Sequence, residues 1–430
     1  MSKLGIAILH FVLLATQAGP PGNGKLAYVH DGNIWVKTLP AGAPQQISQG
    51  GGAESPKWSA SGQWLAFQQG RKTIVVSMSG GHQEFDSGQI TWSPLRDELG
   101  LLDENGLTVI AAGGDEIRKR VVFRNSPSAG VAGFAWNPDA TAFALSVITP
   151  DPGGRPEFRV GHLWRINVDG TQQRELFTPK ERGGVEPAGW SSDGQYIIFR
   201  VDSDFSASVA SDGLPLFSIP GSGGAPQQLA SEVLVPPDFV SISPVKREVL
   251  IVAGGGRETW TNKRLVMSDP STGRVTELTD QRSVALSPAR SADGNLIAYV
   301  GSPDNKESQR ADVGAVIGPN GKKSVQPVQS GVDEPKTTLN QRRIWMIGVD
   351  GKSRQLTSDS RYRDEYPLWS ADGRFLAFIR IDQQGKASVW TLSLDSNAPQ
   401  KAVDDIALPS IGWFGYYGNI DWSKYVAWYR

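Results

Sequence analysis

Two pairs of oppositely charged residues follow equivalent predicted strands and are the first candidates for binding chemistry. Arg200 and Asp202 follow the apolar run YIIF, and Arg380 and Asp382 follow the similar run FLAF. Side chains at the ends of equivalent strands can line one face of a fold, where they hold a peptide carboxylate or amine. Surface ion pairs without a function are the alternative explanation of this pattern.

An aromatic cluster near the C-terminus is the second candidate. The segment GWFGYYGN, residues 412–419, places Trp413, Phe414, Tyr416 and Tyr417 between glycines. Aromatic side chains often anchor recognition surfaces, so the cluster predicts a binding platform. Core packing at a seam of the fold is the competing interpretation.

The residue types offer little for catalysis. The 430 residues include no cysteine, which excludes disulfides, thiolate nucleophiles and cysteine-ligated zinc. The pentapeptide G-x-S-x-G of a serine hydrolase is absent, and His30, His82 and His162 fall in separate parts of the chain. We therefore expect no catalytic residue, no metal site and no cofactor. A hydrolase or lyase that uses acidic and aromatic residues is the alternative.

Charge and the N-terminus restrict the partners and the compartment. The formal net charge is -1 without long runs of Lys and Arg, so nucleic acid is not an expected partner. Residues 1–18 combine Lys3, an apolar stretch from Leu4 to Ala15 and a small-residue site, which predicts a signal peptide. Residues 19–24 then form a linker. We expect a periplasmic or secreted protein with no membrane span in the mature chain.

A repeated decapeptide shows what must position these side chains. WSASGQWLAF, WSSDGQYIIF and WSADGRFLAF begin at Trp58, Trp190 and Trp369. Asp-Gly favours a tight turn, and the apolar run after it predicts a strand that is buried on both faces. Strands of this kind occur in sheets that are stacked between two other sheets.

The repeat occurs eight times when its weaker copies are included. The residues that occupy the tryptophan position are Trp58, Trp92, Trp136, Trp190, Ile242, Arg290, Trp369 and Trp422. The third strands of the units are predicted at 34–39, 74–78, 107–112, 163–168, 215–219, 264–268, 344–349 and 389–394. The spacing between consecutive copies of the repeat is typical of propellers and solenoids.

The two ends of the chain favour a closed ring. The first unit begins at its second strand, Leu26 to Val29, whereas Trp422-Ser423 supplies a spare first strand near the C-terminus. Joining them removes two open sheet edges. We predict an all-β protein with one β-propeller over residues 25–430, built of eight four-stranded blades. Seven blades are the alternative, since the apolar run from Tyr425 to Tyr429 has no place in this count.

One long connection interrupts the repeats. Residues 302–341 contain few apolar side chains and lie between two strands of one unit. We expect them to leave the ring as an inserted loop, which is either functional or disordered.

These motifs resemble the TolB-type repeat, a relative of the WD-repeat. The resemblance covers residues 25–430, and the chain departs from it at Ser93-Pro94-Leu95, at Ser243-Pro244-Val245 and at Arg290, where Trp is replaced. It implies an exported propeller, most simply a monomer, that binds a protein, peptide or glycan through loops on one face. Similar propellers also gate the substrates of oligopeptidases, so a gating subunit for a separate peptidase chain is a further alternative.

Overall fold

The structure is a β-propeller of eight blades. This computed structural model describes residues 24–113, 118–151, 153, 159–180, 183–203, 205–306, 316–317, 323–324, 336–396, 398–407 and 417–429. Within these residues, eight groups of four antiparallel strands follow one another along the chain. The prediction of eight blades is confirmed. The predicted signal peptide and most of the 302–341 insertion lie outside the described residues.

The first four blades contain strands β1 to β15. Blade 1 has β1 (Gly24–His30), β2 (Asn33–Leu39) and β3 (Gln45–Gln46). Blade 2 has β4 (Ala53–Trp58), β5 (Trp64–Gln69), β6 (Lys72–Ser77) and β7 (His82–Asp86). Blade 3 has β8 (Gln89–Trp92), β9 (Glu98–Asp103), β10 (Gly106–Ala111) and β11 (Arg118–Arg124). Blade 4 has β12 (Gly130–Trp136), β13 (Ala142–Pro150), β14 (Arg159–Asn167) and β15 (Arg174–Phe177).

The other four blades complete the ring. Blade 5 has β16 (Gly184–Trp190), β17 (Tyr196–Asp202), β18 (Leu214–Pro220) and β19 (Gln227–Val233). Blade 6 has β20 (Val240–Ile242), β21 (Val249–Ala253), β22 (Arg264–Ser268) and β23 (Val275–Glu277). Blade 7 has β24 (Ser283–Arg290), β25 (Ile297–Pro303), β28 (Arg343–Ile347) and β29 (Ser353–Gln355). Blade 8 has β30 (Tyr362–Trp369), β31 (Phe375–Asp382), β32 (Ala387–Ser393) and β33 (Pro399–Ile406).

A few short elements lie outside the blades. The 302–341 insertion contains a hairpin of β26 (Val316–Ile317) and β27 (Lys323–Ser324). The helices are α1 (Ala207–Asp212) and α2 (Lys336–Leu339), with 3-10 turns at Pro237–Phe239 and Trp422–Lys424. None of the helices in the described ranges has the length and apolar content needed to cross a membrane.

The second strand of each blade carries the core. In β31, six consecutive residues from Leu376 to Ile381 are buried. The small side chains of Ala66, Ala298 and Ala377 are at most 1% exposed. Because each second strand lies between two neighbouring blades, both of its faces must be apolar, as the sequence predicts.

The Trp-Ser-x-Asp-Gly motif builds the turn between the first and second strands. Ser191 Oγ donates to Asp193 Oδ1 at 2.6 Å and accepts the backbone N–H of Tyr196 at 3.0 Å. Gly194 follows with a φ of +68°, a conformation that favours glycine. The same serine–aspartate bond recurs at Ser370–Asp372. The motif is therefore a self-contained cap of the innermost hairpin.

The tryptophan of the motif connects neighbouring blades. The indole Nε1 of Trp136 donates to the carbonyl oxygen of Thr91 at 3.0 Å, and Thr91 lies in the innermost strand of the preceding blade. Equivalent bonds are Trp92 to Lys57 (2.8 Å), Trp190 to Ala135 (3.3 Å), Trp369 to Ala289 (2.9 Å) and Trp58 to Ala427 (3.2 Å). The residue at this position fixes the distance between adjacent blades.

The C-terminus closes the ring, but not with the strand expected from the sequence. The closing strand is β34 (Val426–Tyr429), which pairs antiparallel with β1 from Lys25↔Tyr429 to Tyr28↔Val426. The prediction that the segment around Trp422 forms this strand is wrong. Asp421 accepts hydrogen bonds from the N–H and Oγ of Ser423 and so starts a 3-10 turn at Trp422. The unplaced apolar run at 425–429 supplies the strand instead.

Long connections gather on one face of the ring. We call this the insertion face: second strands end there and third strands begin there, because adjacent strands in each blade are antiparallel. In blades 4, 5, 6 and 7 these connections cover residues 151–158, 203–213, 254–263 and 304–342. In the other four blades they cover only 31–32, 70–71, 104–105 and 383–386. The long connections therefore belong to four consecutive blades.

Candidate functional site

A cavity of about 990 Å³ runs along the centre of the ring. It reaches from Pro236 and Pro237, near the insertion face, to Pro94 and Pro138 in the turns of the opposite face. The innermost strands of blades 3 to 6 form one wall. The opposite wall is a segment that belongs to no blade, residues 417–425, which we call the C-terminal strap.

The blade wall of the cavity is mainly aromatic and proline-rich. Trp92, Phe134, Trp136 and Trp190 contribute to it, although each is at most 8% exposed. Their rings are held by the packing between blades and, for the tryptophans, by the inter-blade hydrogen bonds. The wall is consequently rigid, as a preformed binding surface requires.

Charged side chains of both signs lie in the cavity. Arg200, on β17, is 3% exposed; its Nη2 lies 3.4 Å from the carbonyl oxygen of Leu234 and its Nη1 3.9 Å from Glu186 Oε2. Glu186 is itself exposed, and the strap adds Asp421 and the exposed Lys424. The cavity can thus pair with a carboxylate and an amine of one ligand.

The C-terminal strap is held through its main chain. The Tyr417 carbonyl accepts the N–H of Thr259 at 3.0 Å and its Oγ1 at 2.7 Å. The Gly418 carbonyl accepts Arg342 Nη1 at 2.6 Å and Arg363 Nη2 at 3.0 Å. Three side chains from blades 6, 7 and 8 therefore fix the start of the strap.

A buried carboxylate anchors the middle of the strap. Glu365 Oε2 accepts the indole N–H of Trp422 at 2.8 Å, while its Oε1 lies 2.6 Å from Arg342 and 2.5 Å from Arg363. Burial on its own would raise the pKa of the Glu365 carboxyl, but the two guanidinium groups hold that pKa below its usual range. The charged carboxylate is the form that accepts both arginines.

A smaller cavity of about 330 Å³ lies on the other side of the strap, where Ser423 faces Asp238, Ser287 and Tyr366. Asp238 Oδ2 accepts Ser287 Oγ at 2.6 Å, and its Oδ1 is buried without a hydrogen-bond partner among the described residues. Burial raises the pKa of the Asp238 carboxyl to about 6, with the charges of Asp421 and Glu365 adding to the effect. Asp238 is therefore half-charged slightly below neutral pH.

Strained bulges line the centre of the ring in three blades. Ser55, Ser287 and Tyr366 have φ values of +58°, +47° and +53°, and each interrupts the register of an innermost strand. Each precedes a proline that stands two residues before the tryptophan position. Strained backbone and bulges are enriched at functional sites. That Pro-x-Trp spacing was the signal in the sequence that could have revealed them.

The structure separates the residues predicted to bind. Arg200 lines the large cavity, and Asp202 ends β17 and accepts the Ser206 N–H at 3.4 Å. Arg380 is 3% exposed and is paired with the buried Asp364 at 2.7 and 3.0 Å. Asp382 caps the turn to β32.

Of the aromatic cluster, Tyr417 is the first residue of the strap, and its ring centroid lies 6.5 Å from that of Trp260. Trp413, Phe414 and Tyr416 lie outside the described residues. The two Arg–Asp pairs do not meet in one site, since Arg380 does not line the cavity that contains Arg200. Sequence reasoning missed the groups that hold the strap.

Comparisons with known proteins agree with the fold. No family model matches this chain. The chain is 30% identical to a Protein TolB homolog of Chlorobium luteolum over 129 residues, which is 28% of this chain and 29% of that relative. The match therefore spans under a third of the relative's length.

Solved structures show similar rings. Dipeptidyl peptidase 4 of Porphyromonas gingivalis has a TM-score of 0.56 at 10% identity, covering 89% of this chain and 60% of that one. A eukaryotic initiation factor has a TM-score of 0.53 at 12% identity, covering 90% of this chain and 98% of that one. By fold, this protein is an all-β propeller. The sequence match and the repeated Trp-Ser and Asp-Gly motifs make the chain similar to TolB-type propellers.

Proposed function

We propose that this chain is an exported β-propeller that binds a protein or peptide partner through its insertion face and performs no chemistry of its own. The observation that carries the proposal is that four adjacent blades, 4 to 7, have their long connections on the face near which Pro236 and Pro237 line the central cavity. Loops that a rigid scaffold holds together are the usual location of binding residues. The sequence similarity to a Protein TolB homolog is consistent with this proposal.

Photo-crosslinking tests the choice of face. A photoreactive amino acid replaces Phe205 or Val209 in the blade 5 insertion, where the side chains are 43% and 40% exposed. Leu95 and Val245 on the opposite face are 63% and 57% exposed and serve as matched controls. We expect discrete protein adducts from the insertion-face positions alone. Adducts from the control positions alone would reverse the assignment.

The proposal includes export. Residues 1–24, fused to a reporter that is active only outside the cytoplasm, should direct that reporter across the membrane, with cleavage close to Gly19. A reporter that stays inside the cell would contradict the periplasmic or secreted location.

A substrate gate for a separate peptidase chain is the second candidate, and it would use the same central cavity. A gate needs a wide passage, whereas the strap narrows the centre of this ring and is tied to Arg342, Arg363 and Glu365. This arrangement favours partner binding over gating.

A further inference from the structure

The C-terminal strap makes the contacts of a bound peptide. Its residues line both cavities, Ser423 the smaller and Asn419 to Asp421, Lys424 and Tyr425 the larger, so it divides the centre of the ring. Within the described residues the strap makes one isolated β-bridge, the parallel pair Glu258↔Tyr417, and the Tyr425 carbonyl accepts the backbone N–H of Val29. A short parallel bridge is how an extended peptide joins an existing backbone edge.

The contacts at the start of the strap do not depend on its side chains. Thr259, Arg342 and Arg363 all donate to the carbonyl oxygens of Tyr417 and Gly418. Gly418 has a φ of +74°, and a Cβ at this position would lie 2.9 Å from Leu339, so a peptide that presents the same carbonyls needs a glycine here. Charged donors to a backbone carbonyl give strong, directional bonds in a buried site.

One side chain of the strap provides the specific contact. Trp422 is 2% exposed, and its indole N–H donates to Glu365 Oε2 at 2.8 Å. Its ring meets Tyr425 edge-on, with the centroids 6.3 Å apart. A buried tryptophan that also satisfies a polar partner is the usual form of a binding anchor.

We propose that this groove, formed by Thr259, Arg342, Arg363 and Glu365 across blades 6, 7 and 8, is a peptide-recognition site. The chain's own strap occupies it in this structure, and a partner segment with the same glycine turn and a tryptophan anchor binds in its place. The inference rests on the proposed function, because it identifies where and how a peptide partner binds. The adjoining 990 Å³ cavity leaves room on the open side of the strap for the exchange.

A labelled peptide that copies the strap tests this exchange. The peptide YGNIDWSKY, residues 417–425, is titrated against the full-length protein and against the Trp422→Ala variant, with fluorescence anisotropy as the readout. A tethered segment acts at an effective concentration near millimolar, so the wild-type groove resists the peptide. Removing the internal anchor weakens the tethered strap. We expect the peptide to bind the Trp422→Ala chain at least tenfold more tightly than the wild type.

Two controls establish where the peptide binds. The peptide YGNIDASKY, which lacks the anchor, should bind the Trp422→Ala chain at least tenfold more weakly than YGNIDWSKY. Adding Arg363→Gln to that chain should also weaken binding of YGNIDWSKY, because one donor to the Gly418 carbonyl is lost. If a folded Trp422→Ala chain, verified by circular dichroism and thermal melting, does not bind YGNIDWSKY, or binds both peptides equally, the inference is overturned. Crosslinking on the insertion face is independent of this result, so the two proposals fail separately.

Discussion

A tryptophan at the end of an innermost strand performs two tasks with one side chain. Its ring fills the gap between two blades, and its indole N–H satisfies a carbonyl that the neighbouring strand leaves unpaired. Five blades use this solution, while Ile242 and Arg290 replace the tryptophan in blades 6 and 7. Arg290 instead donates to the carbonyl of Gly294 in its own turn and pairs with Glu248 of blade 6. The motif therefore recurs because the spacing between blades recurs.

Replacing Trp136 by Phe tests the hydrogen bond separately from the packing. The Trp136 N–H reaches the Thr91 carbonyl, so the variant leaves a buried acceptor unpaired at a cost of about 1–3 kcal/mol. Trp164→Phe in the same blade is the control, since the buried Nε1 of Trp164 has no hydrogen-bond partner among the described residues. We expect denaturant unfolding to show a loss of stability for Trp136→Phe that clearly exceeds that of the control. Equal losses would mean that packing alone explains the tryptophan.

The charge on Asp238 should make stability depend on pH. Its folded pKa of about 6 lies above the ordinary value of 3.8, so folding favours the protonated form. The stability that this group contributes is present at low pH and is lost as the pH rises from about 4 to about 6. Asp238→Asn should therefore stabilise the protein at pH 7.5, by about 1–3 kcal/mol, and have little effect at pH 4. Urea unfolding at both pH values is the measurement; a variant less stable than its parent at pH 7.5 contradicts the assignment.

At the scale of elements, the innermost hairpin is the unit that repeats. The serine hydroxyl, the aspartate carboxylate and the glycine of one turn satisfy one another without help from the rest of the blade. That local completeness allows the same sequence to appear in blades whose other strands differ greatly in length.

The turn glycine should tolerate no branched side chain. Gly373 has a φ of +67°, and a Cβ at this position would meet nothing closer than Ser291 Cβ at 3.8 Å. Gly373→Val is therefore strained by the backbone alone, at a cost of about 1–3 kcal/mol. Gly130→Val is the matched control, because its Cβ would lie 3.7 Å from Asn125 and its φ is not left-handed. Thermal melting should show a lower melting temperature for Gly373→Val than for Gly130→Val. A Gly373→Val protein with the melting temperature of the wild type would disprove the turn assignment.

The sequence predicted those features whose cause is local. The apolar second strands, the third strands and the turn glycines were all predicted, because each depends on a few adjacent residues. The position of the closing strand was not, because Asp421 diverts Trp422-Ser423 into a 3-10 turn. The strap contacts were not predicted either. Arg342, Thr259 and Gly418 are far apart in sequence, and only the closed ring brings them together.

At the scale of the whole molecule, the C-terminus links the centre of the ring to its closure. The strap leaves the groove of blades 6 to 8 and passes directly into β34, which joins blade 1. The carbonyl of Tyr425 accepts the N–H of Val29, and Trp58 of blade 2 donates to Ala427. One segment of thirteen described residues, 417–429, thus contacts blades 1, 2, 6, 7 and 8.

Deleting residues 426–430 should destabilise the entire ring while leaving the strap in the chain. The deletion removes β34, exposes the edge of β1 and takes the carbonyl acceptor from Trp58. It also removes Trp428, which is 8% exposed, and the loss of a buried tryptophan alone costs about 3–5 kcal/mol. An open β1 edge offers unpaired N–H and C=O groups to other chains, so aggregation should accompany the lower melting temperature.

Two controls separate ring closure from a general effect of shortening the chain. Lys424→Ala changes an exposed side chain just before β34, and trimming residues 19–23 shortens the opposite end within the predicted linker. Neither should change the melting temperature by more than about 1 °C, whereas the 426–430 deletion should lower it by several degrees, since ~1 kcal/mol of lost stability moves the midpoint by only about 1–2 °C in a ring of this size. Light scattering and thermal melting on the three proteins decide the question. A deletion protein that stays monomeric and has the melting temperature of the full-length protein would show that β34 lies on the ring without closing it.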